Sequence, residues 1–380
     1  MPKKVLMFAN PIHPIPPLKG AAVESWIYEV SKRIISFEPH IISIGSPYYP
    51  KEEYREGIYF HRISFNPLYK RIFQKITRWD PLSYTHKALR IIENINPEII
   101  HIHNISKWAL QLIEKLNGKF KIILHLHNKV LIEKNIKIDV LVGCSKYILD
   151  LYKKNEKIKA DYYTYLYNGI DLRKFRPYWE NLQLRNNIRK IFRIKDKEFV
   201  ILFVGRVSSE KGVEHFINTA MELKNVDNIK FFVIGEIPKK GERKKYLEEI
   251  FEKASLLKDK IFFTDFFPPS KMHLIFLMGD VLFTPSNSEG FGMVNIEAMA
   301  TGIPVITREK DGIKEYIRDG INGFYVNEKN IARSASEILI RLKNDVNLRE
   351  TIGRQGYESV KIFDWNNITL EVENLYNEII

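Results

Sequence analysis

The sequence is poor in cysteine and has no long apolar run. Cys144 is the only cysteine among 380 residues, so the chain cannot form an intrachain disulfide. No apolar run reaches the roughly 18 residues required to span a bilayer. Residues 1–10 contain an apolar run about half as long as the core of a signal peptide, and this run is predicted to be a buried first strand. Together these features favour a cytoplasmic protein.

Tandem repeats and low-complexity tracts are also lacking, and the composition is that of an ordinary globular protein. Hydrophobic residues make up 45% and charged residues 28% of the chain, whose length suggests two domains. The net charge of +13 favours anionic partners such as nucleic acid, anionic lipid or phosphorylated substrates. A lysine-rich surface without such a partner remains the alternative.

Continuous apolar runs alternate with amphipathic segments, which is typical of parallel strands joined by helices. Each half of the chain is therefore predicted to be an open, doubly wound, Rossmann-like sheet. Strands are predicted at 5–9, 40–44, 58–63, 98–102, 121–126 and 139–142 in the first half, and at 199–204, 230–234, 260–263, 281–283, 304–306 and 324–326 in the second.

We predict a first domain over 1–172 and a second over 173–363, with a polar linker in 171–196. Apolar residues from Trp365 to Ile379 repeat at helical spacing. They predict a terminal helix, 364–380, that crosses back to the first domain.

The segment 285–305 carries the strongest functional signal. A strand is predicted to end near residue 283, and a turn with Gly290 and Gly292 leads into a helix from about residue 291. Glycines allow a ligand to approach the backbone closely, and the free N–H groups of a helix start favour anions. Glu289 and Glu297 are separated by roughly 10 Å of helix. This separation suits two carboxylates that accept hydrogen bonds from two parts of one elongated, hydroxyl-rich ligand. A capped helix with a solvated glutamate is the alternative interpretation.

This segment resembles the Glu-x7-Glu signature of retaining glycosyltransferases that have two Rossmann-like domains, the GT-B fold of family GT4. Residues 204–212 resemble that family's Gly-Arg…Lys-Gly loop, and residues 167–171 its Asn-Gly-Ile-Asp turn. Residues 312–323 resemble its downstream turn. The resemblance runs nearly the full chain, and residues 171–180 are also similar to the spore-coat-associated branch of the family.

The resemblance implies a nucleotide-sugar donor site on the second domain. Arg206 and Lys211 would stabilise the charge that gathers on the departing diphosphate. Glu289 would bind the transferred sugar and Glu297 the nucleotide ribose. The other donor-site positions implied are Gly205, Phe267, Gly290, Phe291, Gly292, Met293 and Val294.

No Asp-x-Asp motif occurs, so we expect no metal ion at the diphosphate and no cofactor beyond the donor itself, a UDP- or GDP-sugar. The family implies transfer with retention of anomeric configuration. Glu289, Arg206 and Lys211, together with His127 of the first domain, are the residues expected to serve catalysis.

In the first domain, residues 16–24 resemble the family's Gly-Gly loop at the diphosphate and acceptor. Gly20 is present, but Ala21 stands where the second glycine is expected. If that position requires a positive φ, alanine is unfavourable there. No Walker motif follows this loop.

Two histidine pairs, His101 with His103 and His125 with His127, occur at predicted strand ends. We expect one member of each pair to face the ligand side and the other a packed face. Resemblance places His127 near the donor sugar. Zinc binding is the less favoured alternative, because no carboxylate or cysteine joins the histidines at ligand spacing.

Residues 67–79 form a basic amphipathic pattern that ends in tryptophan, suited to an anionic membrane surface or to ordinary packing on the domain. The partners expected are therefore a nucleotide-sugar and a glycan or lipid-linked acceptor, with peripheral contact at the inner face of the membrane as one alternative. Nucleic acid, suggested only by charge, is not expected. An epimerase or phosphorylase of the same architecture, or a non-catalytic sugar-binding or coat protein, stays open.

Overall fold

A computed structural model of the chain describes residues 2–18, 20–64, 75, 84–116, 118–237, 243–264 and 267–380. The chain divides into two compact units. The first comprises Met1–Gly169 and Trp365–Ile380, and the second comprises Ile170–Asp364. The predicted amphipathic helix at 67–79 lies outside the described residues, apart from residue 75.

The first unit contains an eight-stranded sheet in the order β3-β4-β2-β1-β5-β6-β7-β8. Only β3 runs antiparallel to its neighbour β4 among the strands of this sheet in the described ranges. The strands are β1 (Lys3–Phe8), β2 (Phe37–Ile44), β3 (Glu52–Arg55), β4 (Ile58–Ile63), β5 (Ile99–His103), β6 (Lys121–Leu126), β7 (Ile136–Gly143) and β8 (Ile158–Tyr165).

The second unit contains a six-stranded parallel sheet in the order β11-β10-β9-β12-β13-β14. All six residues of β9 are buried, as expected for a strand that is covered on both faces. The strands are β9 (Phe199–Val204), β10 (Ile229–Ile234), β11 (Ile261–Thr264), β12 (Val281–Thr284), β13 (Val305–Thr307) and β14 (Phe324–Tyr325).

Helices connect the strands in both units and return the chain to the first. They are α1 (Ala22–Ser31), α2 (Tyr84–Ile95), α3 (Lys107–Leu116) and α4 (Lys146–Lys153) in the first unit; α5 (Leu182–Ile191), α6 (Val213–Glu222), α7 (Arg243–Ser255), α8 (Met272–Met278), α9 (Met293–Ala300), α10 (Ile331–Asn344) and α11 (Val346–Val360) in the second; and α12 (Trp365–Ile379) in the first again. Within the described ranges, no helix combines the length and apolar character that crossing a bilayer requires.

Helix α12 completes the core of the first unit, as predicted. Its side chains Trp365, Ile368, Val372 and Tyr376 are buried in one cluster with Trp26 of α1 and the apolar residues of the central strands. This packing confirms the expected doubly wound, Rossmann-like architecture with a terminal helix that belongs to the first unit.

Candidate active site

Two loops of the second unit meet where the parallel neighbours β9 and β12 end. Residues 205–212 follow β9, and residues 285–292 follow β12. The Asn287 backbone N–H donates to the Glu210 carbonyl at 2.9 Å, and the Asn287 side-chain amide donates to the Ser209 carbonyl at 2.6 Å. The loops therefore support each other at the carboxyl edge of the sheet, where ligands bind in open α/β folds.

Lys211 and Glu289, which are 78 positions apart, form an ion pair at this edge. Lys211 Nζ lies 2.6 Å from Glu289 Oε1, and the two side chains are 22% and 19% exposed. The pair is partly shielded from water yet open to a ligand. Such shielding makes charge interactions stronger than on the open surface.

Glycines shape the approach to this pair. Gly205 has φ of 150°, and a Cβ added there would meet nothing closer than 3.9 Å, so the backbone is open on that side. Gly212 has φ of 71°, and an added Cβ would lie 2.1 Å from the Pro285 carbonyl oxygen. The first glycine leaves room for a ligand, whereas the second allows the two loops to touch.

Arg206 lies in the same loop but points to the surface. Its guanidinium pairs with Glu210 at 3.3 Å, and both side chains are about half exposed, at 49% and 51%. A pair this exposed contributes little to stability. The guanidinium can therefore change partners when an anion binds.

A second layer of polar contacts holds the 285–292 loop, and sequence reasoning missed it. Asp311 Oδ2 accepts from Ser288 Oγ at 2.6 Å and from the Glu289 backbone N–H at 3.2 Å. The Tyr316 hydroxyl lies 2.8 Å from the Phe291 carbonyl. The family resemblance of residues 312–323 pointed to this part of the chain, but it assigned no role to Asp311 or Tyr316.

Helix α9 begins at Met293, two residues later than predicted. Gly292 precedes it with φ of 86°, a left-handed conformation that glycine adopts without strain. Met293 and Val294 are half-buried at the helix start, where backbone N–H groups lack intrahelical partners. Gly290 and the buried Phe291 complete the turn that leads to it.

Glu297 lies on α9, eight positions after Glu289. Burial raises the pKa of its carboxyl to about 7, and the positive charge of Lys174 opposes that shift. A carboxylate in this environment gains from hydroxyl groups that donate hydrogen bonds to it. Phe267, the remaining donor-site position, follows β11 and is half-buried.

The four histidines of the two pairs gather on one face of the first sheet, so the expectation that each pair splits between two faces was wrong. Side chains two residues apart on a strand point to the same face. The rings of His101 and His103 stack at 4.4 Å between centroids, and those of His125 and His127 at 4.0 Å. The indole of Trp26 packs against all four rings.

Of these four rings only His127 reaches the surface, and it is half-buried. Its Nε2 lies 3.0 Å from His103 Nδ1, so this ring nitrogen already has a hydrogen-bond partner. Burial lowers the pKa of His127 to about 3. The ring is therefore neutral at physiological pH and can act as a hydrogen-bond donor or acceptor.

The loop before α1 accommodates alanine. Ala21 has φ of −148° and ψ of 97°. This position therefore does not require a positive φ, and alanine adopts it without backbone strain. Gly20 is exposed beside it. Glu24, which sequence reasoning passed over, is 6% exposed at the start of α1, and burial raises its pKa against the influence of His13.

Two parallel-sheet α/β units, the second with paired cationic and acidic side chains at its carboxyl edge, define the chain as a two-domain enzyme of the GT-B class. Known proteins agree with this class. The model of Glycosyl transferases group 1 matches residues 185–359, and that of Glycosyltransferase Family 4 matches residues 23–174.

Full-length relatives extend the match to nearly the whole chain. Lipopolysaccharide 1,2-N-acetylglucosaminetransferase from Salmonella typhimurium is 31% identical over 388 aligned residues, covering 98% of each chain. Sucrose-phosphate synthase from Thermosynechococcus elongatus (18% identity) and Anabaena HepE in complex with UDP-glucose (16% identity) both have a TM-score of 0.77, with 99% of each chain covered. The chain belongs to glycosyltransferase family 4 (group 1) and is a glycosyltransferase. The narrower similarity to the spore-coat branch stays a prediction.

Proposed function

We propose that this enzyme is a retaining glycosyltransferase that moves a sugar from a nucleotide-diphosphate-sugar to a hydroxyl group of a glycan or lipid-linked acceptor. The observation that carries the proposal is the Lys211–Glu289 pair, 2.6 Å apart beside the open backbone of Gly205. A transferred sugar and a diphosphate require neighbouring hydroxyl-binding and anion-binding groups, and this pair supplies both. The lipopolysaccharide sugar transferase and the UDP-glucose complex among the similar proteins support a nucleotide-sugar donor, and we propose UDP or GDP as its nucleotide.

Donor binding would break the Lys211–Glu289 ion pair and give each of the two side chains a new partner. The diphosphate is a stronger anion than one carboxylate, so it draws the ammonium of Lys211 and the guanidinium of Arg206 toward itself. Glu289 is then released to accept hydrogen bonds from the sugar hydroxyls. Glu297 takes the ribose hydroxyls, and the start of α9 at Met293 and Val294 adds backbone N–H groups near the phosphates.

Chemistry would proceed without a divalent ion at the diphosphate. As the sugar–oxygen bond breaks, negative charge grows on the leaving phosphate oxygen, and the two cations stabilise it in the transition state. The acceptor hydroxyl attacks from the same face and passes its proton to that oxygen. His127 and the loop at Gly20 and Ala21 are the substrate-contacting residues that we propose for the first unit. Omitting Mg²⁺ should leave the transfer rate unchanged, and the anomeric configuration of the product reports the stereochemistry.

The acceptor is proposed from the name of a relative and from the net charge of the chain. The Salmonella relative is named for lipopolysaccharide, and a net charge of +13 suits an anionic glycan or lipid. We propose a cytoplasmic enzyme with peripheral contact at the inner face of the membrane, and no nucleic acid partner.

The test is a panel of UDP-, GDP- and ADP-sugars measured for binding and slow hydrolysis by the purified chain. At least one donor is expected to bind to the wild type, and more weakly to Lys211→Met and Glu297→Gln. Arg333→Met is the matched control, because Arg333 forms an exposed surface pair with Glu337 at 3.1 Å. If no donor binds, or if the control loses affinity as much as Lys211→Met, the proposed function is wrong.

A further inference from the structure

We propose that His101, His103 and His125 form a three-histidine binding site for a first-row transition-metal ion, with Zn²⁺ as the preferred ion. The three side chains are 0% exposed. One ring nitrogen from each lies within 4.8 Å of those from the other two. Neutral imidazoles are common ligands of Zn²⁺, and three of them with an open fourth position make a recurring zinc set.

The hydrogen bonds around the three rings support metal binding. His101 Nδ1 contacts the Tyr376 hydroxyl at 2.7 Å, and His103 Nδ1 contacts His127 Nε2 at 3.0 Å. The Nε2 atoms of both rings have no hydrogen-bond partner among the described residues, and the His125 ring has only a weak contact there, with the backbone of Leu166. A histidine that binds a metal typically donates its other ring N–H to an outer partner, as His101 and His103 can do here.

Unpartnered buried nitrogens are costly, and an ion at their centre removes that cost. A buried polar atom without a partner destabilises a protein, because it has lost its hydrogen bonds to water. Here several such atoms share one small region, on β5 and on its neighbour β6, where His103 is in register with His125. An ion takes one nitrogen from each ring, so it gives a partner to the Nε2 atoms of His101 and His103 and to one ring nitrogen of His125.

Binding requires a modest adjustment of the rings. Tetrahedral Zn²⁺ with bonds of about 2.0–2.1 Å places its ligand atoms roughly 3.3 Å apart, which is closer than the 4.8 Å limit seen here. The rings of His101 and His103 are also nearly parallel, at 18°, so side-chain rotation must turn their lone pairs toward one ion. No carboxylate belongs to this cluster among the described residues, so a water or hydroxide is the natural fourth ligand.

The site would be structural and belongs to the first unit, whereas the acidic and cationic groups of the proposed donor site belong to the second unit. It ties β5 to β6 and, through His103, fixes the ring of His127. From the sequence, no metal ion was expected at the diphosphate, and zinc at these histidines was the less favoured alternative. The test below measures metal binding and Tm, so a failure of this proposal is distinguishable from a failure of the proposed function.

The experiment uses the full chain stripped with a chelator and titrated with Zn²⁺ and with Co²⁺, whose visible d–d bands report nitrogen ligands. One equivalent is expected to bind and to raise Tm. His103→Gln and His125→Gln should abolish that equivalent. His61→Gln is the matched control, because His61 is in the same unit but bonds Glu52 at 2.5 Å and should leave binding unchanged.

Tyr376→Phe tests the outer contact and covers the case in which the histidine variants fail to fold. Losing one outer partner should weaken metal affinity by roughly 10- to 100-fold. The proposal is overturned if the wild type binds no stoichiometric Zn²⁺ or Co²⁺. It is also overturned if folded His103→Gln and His125→Gln still bind one equivalent, or if Tyr376→Phe leaves the affinity unchanged.

Discussion

Replacing Glu297 by glutamine should stabilise the second unit at alkaline pH and have little effect at acidic pH. Burial raises the pKa of Glu297 to about 7 from an ordinary value of 4.5. Between pH 4.5 and 7, the Glu297 carboxyl therefore stays protonated in the folded state, whereas it is ionised in the unfolded state. The stability that depends on this proton is fully present below pH 4.5 and is lost as pH rises through 7. Glutamine keeps the shape of the side chain without an ionisable group.

The magnitude follows from that pKa difference. Each pKa unit is worth 1.36 kcal/mol, so the ionised carboxyl destabilises the fold by about 3 kcal/mol at pH 8. Because the side chain is only half-buried, solvent screening makes this an upper value. Glu297→Gln also loses the attraction to Lys174, which reduces the gain further.

Urea unfolding of the second unit at pH 4.5, 6 and 8 measures the effect. Glu337→Gln is the control, because Glu337 is 68% exposed on α10 and its substitution should give a small difference that does not grow with pH. A Glu297→Gln stability gain that is the same at all three pH values would refute the reasoning. So would a loss of stability at pH 8. Weaker donor binding by this more stable variant would mark the usual conflict between function and stability.

Three further substitutions test the two loops. Gly212→Ala should destabilise the second unit by about 2–4 kcal/mol, since it adds left-handed strain to a contact of 2.1 Å with the Pro285 carbonyl. Tyr316→Phe should cost about 1–2 kcal/mol in urea unfolding, because it removes a buried hydroxyl that lies 2.8 Å from a backbone carbonyl. Lys211→Met should lower kcat/KM by roughly 100- to 1000-fold in a donor-hydrolysis or transfer assay.

Each of these has a control or a contrary outcome. Gly320 has φ of 69°, but an added Cβ would meet nothing within 4 Å, so Gly320→Ala should cost only the conformational strain. Equal losses for the two glycine variants would show that the Pro285 contact is unimportant. Unchanged stability of Tyr316→Phe would remove the support assigned to that hydroxyl. A Lys211→Met variant that turns over at the wild-type rate would exclude this residue from catalysis.

Strands with a continuous apolar run could be predicted from the sequence, and these include the edge strands β11 and β14 of the second sheet. Every residue of β9 is apolar and buried, so the predicted range of 199–204 matches the structure. The edge strands β3 and β8 were missed. Most residues of β8 are only partly buried, and its lysine, aspartate and tyrosines give no continuous apolar run to detect.

The site was predicted where family motifs mark it and missed where only the fold creates it. Lys211 and Glu289 were assigned to one site by resemblance, and the structure places them 2.6 Å apart. Asp311 and Tyr316 hold the same loop through hydrogen bonds across more than 20 positions of sequence, which no local pattern reveals. The histidine faces were predicted wrongly because the period of two along a strand was misapplied.

The return of α12 to the first unit has a consequence for how the protein is made. Tyr376 lies in the core beside His101, 275 positions earlier in the chain, and residues 170–364 are synthesised in between. At roughly 5–20 residues per second, the first unit waits on the order of 10–40 s for the helix that closes it. During that interval its apolar face is uncovered, so the half of the protein that is made first is the last to be finished.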